Sequence, residues 1–295
     1  MPATRVVHAG RNTVEVHVFG EGPVVVMIPS LGRRADDFTD LAVTLAAAGY
    51  TAAPVEPRGV GNSVGPMENL TLHDLAADTA AVIEEIGRGG PAVVVGHAFG
   101  QRVCRTLASD RPDLVSAVIM IAAGGKVPPS EEAAAALRVC FDLSLPQETR
   151  MEFVRSAFFA AGNEPAAWRD GWEPGVAQMQ IRASEATPVD SWWGAGQAPL
   201  LVIQGLQDRM AVPENGRLLQ KEMGSRVELV EIEGAGHALL PERPEEIATA
   251  VLRYLKRLSG ETASGSATIP VWLRHRPFIP ARLGTENSPV APYGS

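Results

Sequence analysis

The strongest constraint on the fold of this chain is a rhythm in which unbroken apolar runs alternate with stretches of helical spacing. Val24-Val25-Val26-Met27-Ile28 is such a run, and residues 36–48 follow it with helical periodicity before stopping at Gly49. A strand covered on one face alternates polar and apolar residues, so an unbroken run requires cover on both faces. The unit recurs: 51–55 precedes a helix over 72–86, 92–95 precedes one over 99–109, and a run over 114–121 closes the first half. Strands separated by helices need crossover connections, which predicts a parallel sheet.

The rhythm breaks after Gly124-Gly125 for some seventy residues and returns with Leu200-Leu201-Val202-Ile203-Gln204, a helix over 214–223, a strand over 227–232 and a helix over 244–258. The interruption reads as helical and holds Trp168, Trp172, Trp192 and Trp193 with Phe153, Phe158 and Phe159, most of which are expected to form its own small core. Trp192-Trp193, just before the returning strand, are the pair expected to reach a ligand. Three regions follow: a core of 1–125 and 197–258, an inserted helical cap over 126–196, and an extension over 259–295. At the start, Thr13 to Val18 alternates with period two and Gly20-Glu21-Gly22-Pro23 supplies a turn, which predicts a hairpin there.

Composition narrows the function. A net charge of −8 and a pI near 5.3 leave no basic face for nucleic acid or an anionic membrane. Residues 1–20 lack the apolar core of a signal peptide and no stretch reaches membrane-spanning length, so a cytoplasmic location is expected. Cys104 and Cys140 have neither disulfide nor zinc spacing and are expected as small buried hydrophobes. The histidines share no metal-ligand spacing either, and no metal or cofactor is expected. The expected partner is a small-molecule substrate, met by a monomer or homodimer.

Chemistry concentrates at Val93-Val94-Val95-Gly96-His97-Ala98-Phe99-Gly100, an apolar strand running into G-x-A-x-G and then a helix. A strand that turns sharply into a helix strains its elbow residue, and only tiny flanking residues let the two elements pack so closely. The elbow side chain then stands over the carboxyl edge of the sheet.

Over about residues 5–258 the chain resembles the α/β-hydrolase superfamily, in the order nucleophile elbow, cap, acid, histidine. Ile203-Gln204-Gly205-Leu206-Gln207-Asp208 is similar to the strand end that presents the triad acid, and Glu233-Gly234-Ala235-Gly236-His237 to the loop that presents the histidine. Ile28-Pro29-Ser30-Leu31-Gly32 stands where the family carries its oxyanion loop, with Pro29-Ser30 in place of His-Gly. Glu56-Pro57-Arg58-Gly59-Val60-Gly61-Asn62-Ser63 resembles the family's Asp-x-Arg-Gly-x-Gly-x-Ser turn, with Glu56 for aspartate. The resemblance implies an α/β fold: a mostly parallel, doubly wound central sheet of about eight strands with helices on both faces and a helical cap. It implies a catalytic site of Asp208 and His237 with Ala98 at the nucleophile position. The N–H groups of Leu31 and Phe99 would form the oxyanion hole, and Ser30, His97, Trp192 and Trp193 would line the substrate site.

The alanine leaves three chemistries open. In the first, Ala98 is an introduced, inactivating substitution, and the working enzyme carries serine there as an esterase- or lactonase-like hydrolase of a small apolar or aromatic ester, lactone or related carbonyl compound. Alternatively, His237 and Asp208 act as a general base without a covalent nucleophile, in water-mediated hydrolysis or a lyase, decarboxylase or cofactor-free oxygenase step. In the third case the chain binds ligands without catalysis. Arg33 and Arg34 follow the oxyanion loop and either meet a substrate carboxylate or face solvent.

Overall fold

The computed structural model describes residues 2–260. The chain opens with β1 (Ala3–Ala9) and β2 (Asn12–Val18), an antiparallel pair running in register from Ala3 opposite Val18 to Ala9 opposite Asn12. The hairpin turn is therefore Gly10-Arg11, with Gly10 at φ +62°, and not the expected Gly20–Pro23. A two-residue hairpin turn needs positive φ, which the glycine at position 10 adopts without a Cβ penalty.

Then come β3 (Val24–Ile28), α1 (Thr39–Ala47), β4 (Thr51–Pro54), α2 (Leu72–Ile86), β5 (Ala92–His97), α3 (Phe99–Asp110) and β6 (Val115–Ile121). Three helices, α4 (Glu131–Cys140), α5 (Gln147–Phe158) and α6 (Pro174–Glu185), occupy the interval where the rhythm breaks. It resumes with β7 (Leu200–Gly205), α7 (Glu214–Met223), β8 (Val227–Ile232), α8 (Leu239–Glu242) and α9 (Pro244–Leu258). No helix among the described residues is long and apolar enough to cross a membrane. The 259–295 extension lies outside the described residues beyond Gly260.

Among the described residues, six strands form the main sheet in the order β4-β3-β5-β6-β7-β8, every pair parallel. The expectation of about eight is corrected to six because β1 and β2 pair with each other. Their backbone joins the main sheet through bridges such as Val16 with Val55 and Phe19 with Ala52, and Val7, Val14 and Val16 pack into the core beneath it.

Successive strand residues enter opposite cores, as a period of two dictates. Val26, Val94, Val118 and Val202 face the side of α2, α3 and α7, whereas Val25, Val95, Ile119 and Leu201 face α1 and α9. Double cover is the physical reason the runs are unbroken. The strand order also reverses between β3 and β5, since the chain winds from β3 out to β4 and then returns past β3. At such a point the loops leaving the two strands diverge and open a crevice at their carboxyl ends. The loop after Ile28 and the turn at Ala98 are the two that flank it.

Ile119 is completely buried in the middle of the sheet, whereas Val64 is 63% exposed. Ile119→Ala is expected to destabilise the fold by about 2–5 kcal/mol and Val64→Ala by less than about 0.5 kcal/mol, read by urea unfolding.

Candidate active site

Ala98 joins β5 to α3 with φ +48° and ψ −105°, a left-handed conformation that costs a non-glycine residue about 1–3 kcal/mol. The crossing of strand and helix imposes it. A Cβ on Gly96 would come within 3.0 Å of the backbone of Gly100 and Gln101, and one on Gly100 within 3.0 Å of the backbone of Ile28 and Pro29. The Ala98 N–H donates to the Ile121 carbonyl at 2.8 Å, tying the elbow to the neighbouring strand.

Asp208 lies three residues beyond the end of β7. Its Oδ1 accepts the N–H groups of Met210 and Ala211, both at 2.8 Å, and its side chain is fully shielded from solvent. The remaining partner is His237, whose Nδ1 lies 2.9 Å from Oδ2 and 3.1 Å from Oδ1. With the Nδ1 proton held by a carboxylate, Nε2 is the nitrogen left to take a proton. The histidine loop is fixed from two sides. The N–H groups of His237 and Ala238 donate to the Phe158 carbonyl at 2.7 and 2.9 Å, and Glu242 accepts the N–H groups of Gly236 and Ala160 at 2.8 and 2.7 Å.

His97 brings this loop against the elbow. Its Nε2 lies 2.8 Å from the His237 carbonyl and the two imidazoles are 5.5 Å apart between centroids. A carbonyl only accepts, so Nε2 carries the proton and Nδ1 the lone pair. That Nδ1 is buried without a partner among the described residues. Burial, reinforced by the neighbouring His237, pushes the His97 pKa down to about 4.

The loop after β3 sits beside this group. Phe99 is the first residue of α3, so its N–H is one of the helix-start donors with no carbonyl one turn behind it. Leu31 occupies a turn in which the Arg33 N–H donates to the Ser30 carbonyl at 3.1 Å and the Gly32 N–H to Gln180 Oε1 at 2.8 Å. Ser30 is 4% exposed. Glu56, from the second glycine-rich turn, accepts the Ala35 N–H at 3.1 Å, and Arg58 forms a buried ion pair with Asp78 at 2.7 Å.

The remaining residues singled out by the sequence are placed by their packing. Trp192 and Trp193 are both 3% exposed and pack against α3, with the buried Arg105 guanidinium 4.6 and 4.7 Å from their ring centres. Trp193 Nε1 donates to Glu222 at 2.5 Å. The rings beside the two histidines are instead Phe158, 5.6 Å from His237, and Trp168, 5.9 Å from His97. Of the two arginines after the oxyanion loop, Arg33 is buried, and Arg34 is exposed to solvent while paired with Glu173. Gln180 had one sequence signal, a polar residue on the apolar face of a helix whose other buried residues are Val176, Ala177, Met179 and Ala183. Glu242 had none. A cavity of about 40 Å³, room for roughly three waters, lies between α2, α6 and the β3 end. It is lined by Pro29, Phe99, Arg58, Asp78 and Gln180 among others, and not by Ala98, Asp208 or His237. No group of three His, Cys, Asp or Glu among the described residues could hold a metal ion.

A parallel sheet with a strained elbow, an acid and a histidine at one edge is the architecture of a hydrolase-type α/β protein. The sequence profile of the Alpha/beta hydrolase family matches residues 25–250, and the chain belongs to that family. A 2-(acetamidomethylene)succinate hydrolase of Mesorhizobium japonicum is 34% identical over 118 residues, covering 40% of this chain and 42% of that protein. ABHD8 of Homo sapiens is 26% identical over 70% of this chain and 49% of its own length. The chain thus spans about half the length, or less, of these curated relatives. The crystal structure of an E-2-(acetamidomethylene)succinate hydrolase superposes with a TM-score of 0.72 at 21% identity, over 87% of this chain and all of that one.

A buried histidine that stays neutral when folded makes the unfolded state the better proton acceptor below its ordinary pKa. From pH 6.5 down to about 4, His97 is therefore expected to remove stability progressively, by about 3 kcal/mol at the lower limit. Comparing urea unfolding of the parent and His97→Asn across that range checks it: the variant's stability should fall less steeply with acid.

Proposed function

We propose that this chain is built to hydrolyse a small ester, lactone or related carbonyl substrate, with His237 and Asp208 moving the proton. The observation that carries the reading is the Asp208–His237 contact of 2.9 Å, set against an elbow whose residue is held at φ +48°. In this reading His237 is the base, Asp208 holds its tautomer and stabilises the imidazolium, and the N–H groups of Leu31 and Phe99 receive the oxyanion. The helices between β6 and β7 act as a cap. Phe158 and Trp168 beside the histidines support an apolar or aromatic substrate, and the name of the Mesorhizobium relative extends the range to a small succinate derivative.

The methyl group of Ala98 cannot form an acyl-enzyme. The route left is water attack: His237 Nε2 takes a proton as the water oxygen bonds the carbonyl carbon. The carbonyl electrons move onto oxygen and then return to re-form the carbonyl as the C–O bond to the alkoxide breaks, and the imidazolium gives its proton to that alkoxide, leaving acid and alcohol. With serine at the elbow, Oγ would take the part of water in a first, covalent step. A base with no nucleophile beside it also suits proton abstraction from a substrate carbon, with the same N–H groups receiving an enolate.

Ala98→Ser is expected to raise hydrolysis of a short aryl ester by at least about 10³-fold, with an acyl-enzyme burst, since losing the serine from such triads costs on the order of 10⁶. Adding His237→Ala should cancel the gain. No gain from serine, together with loss of turnover by the Ala98 chain on His237→Ala, would shift the assignment to proton abstraction or water activation alone.

A further inference from the structure

We infer that Arg33 and Gln180 are positioning residues that tie the Leu31 oxyanion donor to the helices between β6 and β7, so that the donor is set by those helices together with the core. The inference rests on Leu31 serving as that donor. Its N–H belongs to the same peptide plane as the Ser30 carbonyl, and in a planar trans peptide the two point in opposite directions. That carbonyl accepts the Arg33 N–H at 3.1 Å, so the direction of the Leu31 N–H follows the placement of Arg33.

Arg33 is in turn held by the helical segment. Its side chain is 2% exposed, and the guanidinium lies 4.8 Å from the Trp168 ring centre and 4.9 Å from that of Trp172. Nη1 donates to the Asp170 carbonyl at 2.6 Å, while Nε and Nη2 hold Asp37 at 2.9 and 2.6 Å. One planar fork therefore joins the oxyanion loop, the start of the following helix and the tryptophan pair, a task that suits arginine and not lysine. Gly32 completes the attachment. Its N–H donates to Gln180 Oε1 at 2.8 Å, its carbonyl accepts the Glu173 N–H at 2.9 Å, and Arg34 pairs with Glu173. A Cβ at Gly32, where φ is +56°, would lie 2.5 Å from the Phe141 ring and 2.7 Å from Ala177, so the loop backbone lies directly against α6 and the end of α4. Both hydrogen-bonding groups of Gly32 are thus satisfied from outside the sheet. The core holds the loop at its two ends, where Ile28 and Pro29 lie against Gly100 and where the Ala35 N–H reaches Glu56.

The test uses Arg33→Lys and Gln180→Leu, each in the full chain with and without Ala98→Ser. Lysine keeps a charge for Asp37 but cannot also bond Asp170 and span two rings; leucine leaves the Gly32 N–H without its acceptor. In the serine form, each variant is expected to lose about 10–100-fold in kcat on a short aryl ester with KM within about threefold, because oxyanion donors act in the transition state. Amide exchange followed by mass spectrometry, in the Ala98 form, should be at least tenfold faster at 30–34, and faster over 168–180 as well. Unchanged exchange at 30–34, or a kcat within twofold of the serine parent in both variants, would overturn the inference. Should the serine form itself show no esterase activity, the hydrolase reading fails, while the exchange measurement still decides how the loop is held.

Discussion

The site depends on one close crossing. α3 leaves β5 so sharply that Gly96 and Gly100 touch the backbone of α3 and of the β3 end, and the strain falls on the residue between them. Neither glycine can carry a side chain without moving a backbone, so the φ of +48° at position 98 follows from the fold and not from the alanine. The crossing sits where the strand order reverses, beside the divergence of the loops after β3 and β5. Everything placed there inherits its position from two packed cores on opposite faces of one sheet.

The core was legible because its physics is local. The doubly covered strands announce themselves as unbroken runs, and helices such as 72–86, 214–223 and 244–258 show their limits in their spacing and end residues. The acid and the histidine follow β7 and β8 by a few residues, so finding the strands found them as well. The strand count and the hairpin turn were harder. A period-two segment does not reveal whether it joins the large sheet or pairs with a neighbour, and β1 and β2 chose each other.

What sequence could not supply is what the helical segment touches. Four tryptophans there look equivalent by composition, yet Trp192 and Trp193 cover the buried Arg105 while Trp168 and Trp172 flank Arg33. The difference arises from contacts 88 to 139 residues apart in the chain, such as Arg105 with Trp193 and Arg34 with Glu173. No periodicity encodes such contacts. Glu242 is a similar case: it looks like an ordinary acid at a helix start, but it is buried and holds the segments on either side of the histidine.

The adjacent histidines limit the proton chemistry the edge can perform. His237 shares its Nδ1 proton with Asp208, whereas His97 lies beneath it with no carboxylate and an unpartnered Nδ1. Were both imidazoles to carry charge at 5.5 Å, each would oppose the other in a medium with little water to screen them. Burial resolves the conflict by keeping His97 neutral down to a pH near 4, where it can still donate from Nε2 to the His237 carbonyl. One ring of the pair is thereby kept as a fixed support, and His237, its Nδ1 held by Asp208, is the ring whose Nε2 is left to take a proton.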